Sequence, residues 1–114
     1  MNENELYKQA VMLWGKRAQS DMMIEEASEL IKVILKYRRG QASKDDVASE
    51  IVDCHIMLSQ MHIILNDEDE YNKQLVLKLD RLQSKIEKEL KTDLGKIKRH
   101  LHEESIKKNI KKQY

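Results

Sequence analysis

Two short acidic runs carry the most distinctive chemistry in this chain. The first is Glu25-Glu26-Ala27-Ser28-Glu29 and the second is Glu50-Ile51-Val52-Asp53. Glu26/Glu29 and Glu50/Asp53 are each spaced i, i+3, so both carboxylates of a pair share one face if the run is helical. Those faces are not plainly hydrated. Glu26 and Glu29 share a stripe with Met22, Leu30 and Val33; Glu50 and Asp53 share one with Cys54, Met57 and Met61. Like charges at this spacing oppose each other by about 0.2–0.5 kcal/mol even in water. Partial burial adds a cost of several kcal/mol per ion unless a cation is supplied. Two such pairs on adjacent antiparallel helices would gather four carboxylates. A divalent hard cation is the simplest counter-charge, because Mg²⁺ and Mn²⁺ both prefer carboxylate oxygens. A single acidic pair of this kind is ordinarily a solvated surface face; it is the repetition, each time among Met and aliphatic residues, that points to a metal.

The elements that must hold these pairs are helices. Leu6, Tyr7, Ala10, Val11, Leu13 and Trp14 recur at spacings of three and four, which predicts a first helix from Glu3 to about Arg17. Ser20-Asp21 reads as the N-cap of a second helix, ending near Arg38 with Gly40 beyond it. Ser43, followed by Asp45 and Asp46, starts a third helix that runs to about Leu65. Its second flank, with Val52, Ile56 and Ile63, is apolar too, so this helix should be wedged between neighbours. Asn66-Asp67-Glu68-Asp69 breaks the pattern. A fourth helix then carries Leu75, Leu79, Leu82, Ile86 and Leu90 and fades near Thr92.

Composition agrees with an all-α fold. The 114 residues contain no proline, three glycines and no phenylalanine. So few breakers leave little room for the many turns of a β-sandwich or barrel. The length supports one domain of about 100–150 residues. Lys and Arg number 21 against 20 Asp and Glu, so nucleic-acid binding does not follow from net charge. The lone Cys54 rules out an internal disulfide framework and a Cys-based zinc site, and fits a reducing cytoplasm. The polar, acidic opening residues do not read as a signal peptide. No stretch approaches the roughly 20 apolar residues of a membrane span. None of the four histidines has Glu or Asp three residues earlier, which disfavours a carboxylate-bridged di-iron bundle.

With these elements in place, Trp14-Gly15, Gln19, Ile24-Glu25-Glu26-Ala27-Ser28-Glu29-Leu30 and Glu50-Ile51-Val52-Asp53 together resemble the MazG-like, all-α nucleoside triphosphate pyrophosphohydrolases. That family's signature is ExxE, a spacer, then ExxD; here the spacer between Glu29 and Glu50 is 20 residues. The resemblance covers roughly residues 5–90. It implies a four-helix bundle completed by oligomerisation, as a homodimer or homotetramer. It also implies cleavage of a nucleoside triphosphate between the α- and β-phosphates. Glu26, Glu29, Glu50 and Asp53 would hold Mg²⁺ (Mn²⁺ as a substitute), with Glu25 and Glu26 as the catalytic carboxylates. The chemistry fits the residues. A polyphosphate would be repelled by acids alone, and Mg²⁺ inverts the local field and lowers the pKa of a bound water. A carboxylate can then take the water's proton.

Cations must meet the leaving pyrophosphate. Lys78 and Arg81 share an i, i+3 face of the fourth helix and match a Lys/Arg-bearing helix after ExxD in the family, with Lys36 and Lys73 as weaker candidates; a solvated basic face is the alternative. Trp14 is either a core anchor or a stacking partner for a base. Gln19 either reads a base edge or caps a helix junction. On this reading residues 1–91 form the pyrophosphohydrolase domain and 92–114 a basic C-terminal helix or tail. From Lys91 onward eight Lys/Arg (Lys91, Lys96, Lys98, Arg99, Lys107, Lys108, Lys111, Lys112) face three acids (Asp93, Glu103, Glu104). Leu94, Ile97 and Leu101 keep helical spacing, and Ile106 and Ile110 form a weaker pair. The rival reading is a non-catalytic helical module whose tail binds nucleic acid or an acidic protein.

Overall fold

A computed structural model of the chain describes residues 1–113, with every side chain except those at 93, 94 and 110–113. The tail side chains of Asp93, Leu94, Ile110, Lys111 and Lys112, and all of Tyr114, lie outside the described residues. The described chain is all-α: α1 is Glu3–Trp14, α2 Lys16–Arg38, α3 Lys44–Leu65, α4 Glu68–Leu90 and α5 Asp93–Gln113. Among the described residues no helix is long and apolar enough to cross a membrane.

Local chemistry sets the helix ends. Asn2 caps α1, its side chain accepting from the Glu5 N–H at 2.8 Å. The first break comes earlier than the apolar spacing predicts. Gly15 has φ +94°, a conformation that is costly for any residue with a Cβ, so α1 ends at Trp14 and α2 begins at once. The expected Ser20 cap therefore falls inside α2, where its hydroxyl donates to the Lys16 carbonyl at 2.7 Å. At the other end of α2, Gly40 has φ +73°. Its N–H donates to Tyr37 O at 3.0 Å, and that of Gln41 donates to Lys36 O at 2.8 Å. This is the paired closure of a Schellman C-cap. Ser43 opens α3 as expected, with a full capping box: its hydroxyl accepts from Asp46 N–H, and Asp46 accepts from Ser43 N–H. Those bonds hold the Asp46 carboxyl below its ordinary value.

The chain divides into two compact units, Met1–Glu68 and Asp69–Tyr114. This division by packing falls earlier than the expected functional boundary at 91/92. In the first unit α2 and α3 form the main packing pair and α1 lies on both. The short α2–α3 connection favours antiparallel neighbours. The contacts agree: Gln19 meets Gln60 and Glu26 meets Cys54. The interior is thin. Val11, Cys54 and Met57 are its buried apolar residues, and Gln19 and Gln60 are buried with them. The second apolar flank of α3 is covered only in part: Val52 and Ile56 are exposed and Ile63 is part-buried. In the second unit the turn between α4 and α5 is tight. A Cβ on Gly95 would run into the Glu89 carbonyl, and Thr92 caps the turn by accepting from Gly95 N–H at 2.8 Å.

Candidate metal centre

Two polar contacts set the register of α2 against α3. Gln19 Nε2 donates to Gln60 Oε1 at 2.7 Å, wholly inside the α2–α3 seam. Two helical turns further along α2, the Cys54 thiol donates to the Glu26 carbonyl at 3.3 Å. A buried amide left without its partner is costly, so a slip of one residue is resisted at both points. In this register Glu26 of α2 faces Glu50 and Asp53 of α3. One carboxylate oxygen from each lies within 4.8 Å of the other two, and all three residues are part-buried.

The electrostatics of this group are one-sided. Burial pushes the Glu26 carboxyl above its ordinary value, and the charges of Asp53 and Glu50, a hydrogen bond with Glu50 and the charge of Glu25 push it the same way. Glu50 Oε2 is buried without a hydrogen-bond partner, an unusual state for a buried polar atom. Burial and the same three acids also raise the Cys54 thiol. Cys54 therefore stays a neutral thiol and a hydrogen-bond donor, not a thiolate ligand. Three hard oxygen donors and an orphaned carboxylate oxygen form a donor set that suits Mg²⁺ or Mn²⁺.

The expected site residues are placed unevenly. Glu26, Glu50 and Asp53 come together. Glu29 and Glu25 are exposed on α2 on either side of Glu26, and Glu29 does not share in the three-way convergence. The i, i+3 rule puts Glu26 and Glu29 on one face but does not say which of them reaches the crossing. Gln19 is buried and donates its amide to Gln60, so its position serves the helix seam. Trp14 is not a core anchor: it is 62% exposed at the end of α1, where the Gly15 break stops the helix. Lys36 is part-buried in the last turn of α2. Lys78, Arg81 and Lys73 are exposed on α4, in the second unit. Gln60 was not singled out by the sequence. Its only signal is a polar residue among Met57, Met61 and Ile64, and its partner lies 41 positions away.

No family model, no curated protein and no solved structure matches the chain.

Proposed function

We propose that this chain is a Mg²⁺-dependent nucleoside triphosphate pyrophosphohydrolase of the MazG-like kind, with Mn²⁺ able to replace Mg²⁺. The observation that carries this reading is the convergence of Glu26, Glu50 and Asp53 around an unpartnered, buried Glu50 oxygen. Such a cluster is short of positive charge, and a hard divalent ion supplies it without a protein cation. Glu26, Glu50 and Asp53 would hold the ion, with exposed Glu29 as a further ligand on the solvent side. When bound, the ion would screen the polyphosphate and make a bound water more acidic.

The reaction is water attack at phosphorus. The anhydride bond between the α- and β-phosphates breaks, its electron pair leaves with pyrophosphate, and a nucleoside monophosphate remains. Glu26 would take the water's proton, as a carboxylate beside a bound water can. Glu25 beside it would orient the water. Lys78 and Arg81 are assigned to the pyrophosphate on residue type, and Trp14, with its ring exposed, to stacking on the base. Gln19 would act through the α2–α3 register. The exposed Ile24 and Ile31 of α2 and Ile51 and Val52 of α3 support a homodimer or homotetramer, and the free Cys54 suits a reducing cytoplasm.

Incubation with a panel of triphosphates and Mg²⁺, with pyrophosphate detection, tests this. Asp53→Asn and Glu50→Gln should each lower the rate by about 10²-fold or more, with helical content unchanged. Release of no pyrophosphate from any triphosphate would leave the rival reading. The exposed Lys96, Lys98, Arg99, Lys107 and Lys108 of α5 would then serve nucleic acid or an acidic protein, and the binding would weaken steeply with salt.

A further inference from the structure

Helix α4 carries one long apolar stripe. Tyr71, Leu75, Leu79, Leu82, Ile86 and Leu90 fall within an arc of roughly 100° at 3.6 residues per turn, while Asp69, Lys73, Asp80, Ser84 and Glu87 lie opposite. The first five stripe residues are between 42% and 54% exposed, and the stripe runs nearly the full 23 residues of the helix, about 34 Å. An apolar ridge of this length in water marks an interaction surface.

Three features say what covers it. The first is the spacing along the stripe, which is 4, 4, 3, 4, 4 and reads the same from either end. Two copies laid antiparallel therefore meet layer on layer: Tyr71 opposite Leu90, Leu75 opposite Ile86, and Leu79 opposite Leu82. A two-fold axis passes between the two Leu79–Leu82 layers, as an isologous contact requires. The second is charge. The first turn of α4 is acidic, with Glu68, Asp69 and Glu70, whereas residues 85–99 are net basic, with Lys85, Lys88, Lys91, Lys96, Lys98 and Arg99 against Glu87, Glu89 and Asp93. In net charge alone, the antiparallel arrangement brings the acidic end of one copy towards the basic end of the other. The third is shape. A groove of about 360 Å³ lies in the α4–α5 corner, floored by Ile86, Leu90 and Gly95 and rimmed by Lys85, Glu89, Lys98 and Arg99. It lies where the partner's acidic first turn and Tyr71 would arrive.

We infer that α4 is a self-association face: two copies of this chain pair through their α4 stripes in antiparallel register. The like-charged Lys78, Arg81 and Lys85 flank the seam on long stems that keep their ammonium or guanidinium groups in water, so the apolar layers drive the contact. This rests on the proposed self-association and gives it a surface; it does not need the metal centre.

Sedimentation of the full chain and cysteine cross-linking test it together. The chain should sediment at twice its 13.5 kDa mass, and Leu79→Glu should halve that value. Leu75→Cys chains and Ile86→Cys chains, each mildly oxidised alone, should stay uncross-linked like the wild type with its buried Cys54. Mixed before oxidation, they should give a covalent dimer in high yield. A monomeric wild-type chain would overturn both the pairing and self-association. A dimer in which each single-cysteine chain cross-links to itself, or the mixture does not cross-link, would overturn the antiparallel α4 pairing alone.

Discussion

The two compact units spend their apolar residues differently. Met1–Glu68 turns Val11, Cys54 and Met57 inward, seals them with the Gln19–Gln60 pair, and leaves part-buried space that three carboxylates share. Asp69–Tyr114 buries no side chain among those described and presents its leucines as a surface stripe. A thin, polar interior is a poor source of stability but can hold charge in a fixed geometry. A helix with its whole apolar face in water is a poor source of stability of any kind until something covers it. The first unit is therefore read as the metal centre and the second as the means of assembly.

That contrast predicts unequal responses to truncation. Gln60→Ala should cost about 1–3 kcal/mol in denaturant unfolding, because it strands the buried Gln19 amide. Leu77→Ala, on the exposed side of α4 away from the stripe, should change stability by no more than about 0.5 kcal/mol. Equal losses at the two positions would erase the distinction between the units.

A smaller effect concerns pH. The Glu26 carboxyl sits above its ordinary value of 4.5 in the folded chain, so the folded state holds that proton more tightly than the unfolded state. Its contribution to stability is thus fully present below the ordinary value and is lost as pH rises through the raised one. In chelator, the melting temperature of the wild type should fall across that window relative to Glu26→Gln. Saturating Mn²⁺ should remove the difference. Parallel pH profiles for the two chains in chelator would show that the acids are not crowded.

Much of this was legible in the sequence where the signal is local. The capping box at Ser43 needs only residues three apart, and Gly40 ends α2 where a left-handed residue belongs. The acidic pairs also declared themselves, since i, i+3 spacing assigns a face. Features that depend on geometry between helices did not show. The Gly15 break was hidden because apolar spacing continues through Leu13 and Trp14 toward Arg17, and an isolated glycine in a helical pattern gives no sign of its φ. Ser20 is an equally good N-cap or mid-helix donor to its own i−4 carbonyl, and only the position of that break decides between them. Glu29 shares a face with Glu26 but stands apart from the three-way convergence, because a face says nothing about where along its length another helix crosses. Trp14, which residue type left open as core anchor or stacking partner, is outside, at the residue where α1 ends.

The most direct test of the central claim is Mn²⁺ binding, followed by the loss of the free-ion resonance signal, for the wild type, Glu50→Gln and Asp53→Asn. The account predicts one tight Mn²⁺ per wild-type chain, tightened further by a nucleoside triphosphate and lost in both variants while helicity is kept. Equal, weak binding by all three chains would contradict it.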